Sequence, residues 1–223
     1  EDMIGVILAG GSGTRFWPLS RRQRPKQLVE LWGEVPMIQH AIDRLTFLAD
    51  DVPTYVVLGD HLLDVTRGAV PDLPPEHFIV EPCPRNTGPA IALAAAYVDV
   101  YHGDQPFGVF PADHFVGGDD RFRACVELAE SRAREGVIVT MGVSPTRPET
   151  GYGYIQYEAT DEGGLQAYPV KSFKEKPSRR VAETYLEQGG YAWNSGMFVM
   201  TPSTLFGEMQ RQLPEMAEKM TII

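Results

Sequence analysis

Cysteine is nearly absent from the sequence: Cys83 and Cys125 are the two it has in 223 residues, far apart and outside any metal-ligand spacing. Such a pair sets up neither a disulfide framework nor a zinc site, and a reducing compartment, the cytoplasm, is the simplest expectation. Both thiols are expected to be buried small hydrophobes. Basic residues are also scarce, 20 Lys and Arg against 30 Asp and Glu, for a net charge of −10. Surfaces that hold nucleic acid or an anionic membrane need a field of excess Lys and Arg, so neither partner is expected. No apolar run approaches the ~18 residues of a membrane span, and Glu1, Asp2, Met3 and Ile4 put no basic stretch ahead of an apolar one. Insertion and export are therefore not expected. Linkers, repeats and low-complexity tracts are missing too, which predicts one domain over residues 1–223.

Apolar residues make up 43% of the chain, enough for a sizeable core, and 22 Gly with 18 Pro suit many tight connections between short elements. Residues 4–8 form a short apolar run that opens at once into Gly10, Gly11 and Gly13, the pattern of a buried strand leading into a tight loop. Apolar residues at helical spacing predict helices over 36–48, 60–69, 89–101 and 120–134. Strands are predicted at 55–58, 78–80, 107–110 and 137–143. This alternation predicts an α/β fold, a three-layer arrangement with helices on both faces of a mostly parallel, mixed central sheet. Past Gly151 the texture changes, with strands at 152–157, 167–173 and 196–200 and a helix at 178–188. Residues 208–223 read as a Met-rich helical stretch with no cap or breaker to stop it, so a longer natural chain is expected.

The most informative stretch runs from Leu8 to Lys26. Glycines let the backbone approach a ligand and turn its N–H groups toward phosphate oxygens. Beside Gly10, Gly11, Gly13 and Thr14 stand Arg15, Arg21, Arg22, Arg24 and Lys26, with no Asp or Glu among residues 15–26. In so acidic a chain this local excess suits a polyphosphate, since arginine forks bind phosphate bidentately and lysine supplies a compact charge. A plain turn with a solvated basic face is the alternative. A Walker loop does not fit, because nothing here supplies its closing Gly-Lys-Ser/Thr. The dinucleotide fingerprint fails as well: Phe16 stands where its third glycine belongs, and Pro18 and Pro25 bar a long helix, although Glu30 sits near the spacing of a ribose-binding acid.

The segment Gly10-Gly11-Ser12-Gly13-Thr14-Arg15 followed by Pro18 and later Pro25-Lys26 resembles the signature of the sugar-1-phosphate nucleotidyltransferases. Phe16-Trp17-Pro18-Leu19-Ser20-Arg21 with Pro25-Lys26-Gln27 looks like the mannose-1-phosphate guanylyltransferase branch. The resemblance implies the Rossmann-like, GT-A-like fold of that family, with Leu8, Gly10, Gly11, Gly13, Thr14 and Arg15 around the nucleotide phosphates and Lys26 near the reacting phosphoryl group. Glu81-Pro82-Cys83-Pro84-Arg85-Asn86-Thr87 is similar to a block that contacts base and ribose, which adds Asn86 and Thr87 to the nucleotide site. A helix cap is the plain alternative for those two. Trp17 and Arg85-Asn86-Thr87 together favour guanine.

Pro111-Ala112-Asp113-His114 puts a carboxylate just past an apolar strand, at the edge where open α/β sheets bind ligands. Asp113 suits Mg2+, which takes one or two carboxylates alongside phosphate oxygens and water. The resemblance assigns it a metal-binding and nucleotide-binding role, with His114 a hydrogen-bonding neighbour. Gly151-Tyr152-Gly153, Glu175-Lys176-Pro177 and Trp193-Asn194-Ser195-Gly196 look like the family's sugar-site blocks. On that likeness Gly153, Glu175, Lys176 and Asn194 hold the sugar phosphate. The resemblance spans about residues 4–200, and the family's second metal-binding Asp lies in a later block that this sequence does not contain. It implies transfer of GMP from GTP to mannose 1-phosphate, with Arg15, Lys26 and Asp113 as catalytic residues and a homodimer allowed. A sister enzyme using UTP or dTTP with glucose 1-phosphate, or a non-catalytic nucleotide-sugar sensor, is the alternative.

Overall fold

A computed structural model describes the chain apart from residues 1–2, 12–16, 21–24, 32, 47–51, 84–85, 159–163 and 221–223. Four strands, β1 (Ile4–Leu8), β2 (Thr54–Gly59), β3 (Phe78–Glu81) and β4 (Phe107–Pro111), lie parallel in the order β3-β2-β1-β4. Helices fill the crossovers: α1 (Met37–Thr46) between β1 and β2, α2 (Leu63–Ala69) between β2 and β3, and α3 (Thr87–His102) between β3 and β4. The remaining strands are antiparallel to their neighbours. They are β5 (Val139–Val143), β6 (Tyr154–Tyr157), β7 (Val170–Lys174) and β8 (Tyr191–Met200). Further helices are α4 (Asp119–Ala133), α5 (Arg179–Gln188), α6 (Pro202–Gln212) and α7 (Pro214–Met220).

The period-2 alternation of the inner strands divides the core into two layers. Ile7, Val56, Leu58 and Phe110 point to one face, where Ile38, Ala41 and Leu45 of α1 and Phe122, Val126 and Ala129 of α4 cover them. Val6, Tyr55, Val57, Phe107 and Val109 point to the other, under Ala90, Ile91, Ala94, Ala95 and Val98 of α3. Leu205 and Phe206 of α6 extend that second layer. The expected three-layer α/β sandwich is thus present, with its parallel half intact and an antiparallel extension beyond β4.

The extension shapes the site. Trp193 pairs with Tyr154 of β6 and Val143 of β5, so those strands occupy opposite edges of β8. Phe198 and Val199 pair with both β4 and β5, so β4 lies on the same edge as β6. Between them that edge of β8 has no strand partner over Ser195–Met197 among the described residues, and Gly196 there takes φ 74°. A Cβ at Gly196 would lie 3.4 Å from Pro111 Cγ, so the opening abuts the end of β4. β5 carries a register shift between Thr140 and Gly142, and a Cβ at Gly142 would lie 2.7 Å from that of Ala192, too close without movement.

Three expectations change. The strand predicted at 196–200 begins at Tyr191, because the Asn-Ser-Gly segment, turn-like in sequence, is a distorted stretch inside a longer strand. The single helix expected over 208–223 is two, α6 and α7, separated at Leu213. Pro214 has no N–H to continue a helix and disfavours α geometry in the residue before it, so it is the breaker the periodicity overlooked. Cys83 is exposed and Cys125 half-buried, so neither thiol is the fully buried hydrophobe expected. Among the described residues no helix is long and apolar enough to cross a membrane.

Candidate nucleotide and sugar-phosphate site

Because β1 to β4 run parallel, their carboxyl ends open on one edge of the sheet, and most of the described candidate residues lie on the segments that leave it. Leu8 closes β1, and its carbonyl accepts a hydrogen bond from Ala112 N at 3.2 Å, which ties the glycine loop to the segment bearing Asp113. Gln27, 2% exposed, donates from Nε2 to Ala9 O at 2.7 Å and fastens the Pro25-Lys26-Gln27 turn beneath the same loop. At the end of β3 the buried Glu81 carboxylate presses on the loop from the other side. A Cβ at Gly10 would lie 2.7 Å from Glu81 Oε2, so glycine there answers a close approach. Gly11 is exposed. Gly13, Thr14 and Arg15 lie outside the described residues, as do Arg21, Arg22, Arg24 and Arg85.

Lys26 and Asp113 meet. The Lys26 ammonium is ion-paired with Asp113 Oδ2, both side chains about four-fifths buried. His114 Nε2 stands 3.9 Å from Asp113 Oδ1. Its imidazole pKa is pushed down to about 4, first by burial and then by the Lys26 and Arg44 cations, so the ring is neutral at pH 7. Arg44 reaches from α1 and donates from Nη2 to the His114 carbonyl at 2.7 Å, with its guanidinium 5.9 Å from the Phe122 ring centroid. Burial lowers the Arg44 pKa from its ordinary value, and Asp119 opposes that shift.

Asn86 and Thr87 are exposed at the start of α3. Asn86 holds the N-cap position, yet its side chain makes no capping hydrogen bond. The cap alternative therefore does not account for that side chain, and the α3 amino end faces the same edge as Glu81. Trp17, 77% exposed, packs little against the chain.

The four sugar-site candidates also come together. Asn194 N donates to Gly153 O at 2.8 Å. A Cβ at Gly153 would lie 3.1 Å from Glu175 Oε2 and 2.6 Å from the Phe173 ring, and Glu175 Oε1 pairs with Lys176 Nζ at 2.9 Å. Lys176 has φ 42°, an uncommon left-handed backbone for a non-glycine residue. Asn194 Oδ1 accepts from Thr140 Oγ1 at 3.2 Å and from Gly196 N at 3.1 Å. Its Nδ2 has no hydrogen-bond partner among the described residues. Ser195 Oγ donates to Met141 O at 2.7 Å and fixes the backbone around it. A separate cleft of about 690 Å³ lies between α4, β5 and residues 165–170. None of the candidate residues lines it, so size alone does not mark the site.

Gln27, Glu81 and Arg44 emerge from the structure as supporting residues. Gln27 and Glu81 carry a sequence signal, each being a polar residue inside an otherwise apolar or proline-bounded stretch. Arg44 carries none, since an Arg in the last turn of a helix is ordinary.

As for a metal, no cluster of three His, Cys, Asp or Glu side chains that could enclose an ion stands among the described residues. Asp113, about four-fifths buried beside the glycine loop, does fit a hard divalent ion that takes most of its oxygens from phosphate and water.

The family described as Nucleotidyl transferase matches residues 4–221. A mannose-1-phosphate guanylyltransferase of Klebsiella pneumoniae is 40% identical over 219 residues, covering 97% of this chain and 46% of that protein. The xanthan biosynthesis protein XanB of Xanthomonas campestris pv. campestris (strain B100) is 40% identical over 98% of this chain and 46% of its own length. The chain thus spans about half the length of these curated relatives. A crystal structure described as mannose-1-phosphate geranyltransferase, from Thermus thermophilus, superposes with a TM-score of 0.86 at 33% identity, over 99% of this chain and 64% of that one.

Proposed function

The chain belongs to the nucleotidyl transferase family, and on that footing we propose that it transfers GMP from GTP to mannose 1-phosphate, releasing GDP-mannose and pyrophosphate. The observation that carries this reading is the placement of Asp113. The segment ending in it hydrogen-bonds the glycine strand through Leu8, abuts the Gly196 opening through Pro111, and carries the Lys26 ion pair. The glycine strand and the Gly196 opening thus both adjoin the segment that bears one carboxylate, which supports a reading in which nucleotide and sugar phosphate meet there.

In the reaction an oxygen of the mannose 1-phosphate attacks the α-phosphorus of GTP in line. The new P–O bond forms as the bond to the β-phosphate oxygen breaks, and pyrophosphate carries away that electron pair. No protein nucleophile is required, so positioning and charge stabilisation dominate. The glycine loop offers backbone N–H groups to the phosphates, and Arg15 and Lys26 offset developing negative charge. Asn86 and Thr87 meet the nucleoside. Gly153 allows close approach of the sugar, Glu175 and Asn194 hold its hydroxyls, and Lys176 meets its phosphate. Asp113 would hold a divalent ion, Mg2+ in this reading, which when bound supplies Lewis-acid charge to the phosphoryl oxygens. The cytoplasm, where nucleoside triphosphates are made, is the compartment this reading assigns.

Pyrophosphate release in the presence of Mg2+ tests it, with GTP, UTP, dTTP and ATP each tried against mannose 1-phosphate and glucose 1-phosphate. Selective release with GTP and mannose 1-phosphate is expected. Release with UTP or dTTP and glucose 1-phosphate would assign the chain to a sister enzyme, and GTP binding without turnover would favour a nucleotide-sugar sensor.

A further inference from the structure

The two groups assigned above to metal and phosphate are bonded to each other. Lys26, in the short 3-10 turn Lys26–Leu28, and Asp113, just past β4, come from segments 87 positions apart in sequence, yet their charged ends form a largely buried ion pair. The turn has little freedom to drift, because its neighbour Gln27 is locked to Ala9 O at 2.7 Å. The Asp113 side is equally held, through Ala112 N to Leu8 O at 3.2 Å and Arg44 Nη2 to His114 O at 2.7 Å. Both halves of the pair are therefore presented by braced backbone, and a second cation, Arg44, borders the same loop.

From this geometry we propose that Lys26 is the resident counter-ion of Asp113, so that the nucleotide-free chain resists a bare divalent cation and accepts one only together with a triphosphate. A bare ion approaching Asp113 meets a carboxylate already neutralised and a lysine ammonium that repels it. A triphosphate changes the balance, because it brings negative oxygens of its own. Lys26 can then exchange Asp113 for a phosphate oxygen while the ion on the phosphates gains the freed carboxylate. Two ion pairs become two ion pairs, with no charge left uncompensated in a partly buried site. Loading of the metal and release of the lysine toward the phosphates are thereby one event.

The inference rests on Asp113 as metal ligand and Lys26 as phosphate ligand, and its test separates the two levels. Mn2+ serves as the probe, with the unbound ion counted by its electron paramagnetic resonance signal, on the folded chain without nucleotide and then with GTP. A neighbouring opposite charge shifts a carboxylate's affinity for a proton by about one to three pK units. Removing Lys26 should shift its affinity for another cation comparably. Lys26→Met is expected to bind Mn2+ alone on the order of tenfold or more tightly than wild type, by analogy with that range. Lys26→Gln, a polar replacement, should do the same if Lys26→Met folds poorly. With GTP present the ranking should invert, wild type binding the Mn2+–GTP complex more tightly than either variant. Equal or weaker binding of bare Mn2+ by both lysine variants would overturn the inference while leaving the metal assignment standing. If the tightened binding survives in the Lys26→Met, Asp113→Asn double variant, Asp113 is not the ligand, and the functional assignment falls together with the inference.

Discussion

Glycine at position 10 illustrates how a residue without a side chain can be held in place by one that has an unusual one. The Glu81 carboxylate is buried, and the position a Gly10 Cβ would take lies 2.7 Å from its Oε2. Gly10→Ala must displace either the end of the buried Glu81 side chain or the loop. Overpacking of this kind costs about 1–3 kcal/mol. In a chain of this length that corresponds to a fall in Tm of roughly 2–4 °C for each kcal/mol. Calorimetry of Gly10→Ala should show that fall, and GTP titration should show weakened binding. A variant that melts and binds like wild type would mean the loop adjusts freely. The sequence made the glycines and the Pro-Lys-Gln turn conspicuous, because local chemistry of turns and charge is written in adjacent residues. It left Glu81 and Arg44 without a role, because what they do depends on segments far away: Glu81 meets a loop 71 positions earlier, and Arg44 a carbonyl 70 positions later.

Among the elements, burial is uneven. β1 and β4 are buried on both faces, whereas β7 is largely exposed and, among the described residues, the layer under α5 has Tyr154, Ala182 and Trp193 as its buried members, with Tyr185, Leu186 and Tyr191 packed beside them. Tyr185 and Tyr191 stack at 4.0 Å, a useful contact but a small core. Opening free energy follows local burial. Hydrogen exchange should therefore find the amides of β7 and α5 exchanging at least about tenfold faster than those of β1 and β4, a gap of roughly 1.4 kcal/mol. Uniform protection would show that the antiparallel extension opens only with the whole sheet. The inner strands and amphipathic helices were legible in the sequence because period 2 and period 3.6 are properties of short windows. Tyr191–Met200 was not fully legible, because the residues that make it a strand are its partners in β4, β5 and β6, and its own Asn-Ser-Gly segment has the composition of a turn.

At the scale of the whole molecule, the charge of −10 coexists with a run of cations that follows the glycines in sequence, from Arg15 to Lys26. Net charge of one sign opposes non-specific association, and here it vanishes near the isoelectric point of 5.0. Static light scattering across pH 4 to 8 should give its maximum near pH 5, suppressed on either side. A flat profile would mean that contacts other than mean charge govern association. The architecture as a whole was legible because alternating strands and helices permit few topologies, while the open edge of β8 could be found only once its partners were known.

The strand order carries one more consequence, for how the molecule is made. β1 lies between β2 and β4, yet β4 is complete only at Pro111, and its other flank is covered only by the last residues of β8 at Met200. On a ribosome adding roughly 5–20 residues per second, that flank stays open for several seconds after β4 is made. The glycine loop thus leaves the ribosome long before Asn194 and Gly196, so the two sides of the candidate site are joined only once β8 has been made.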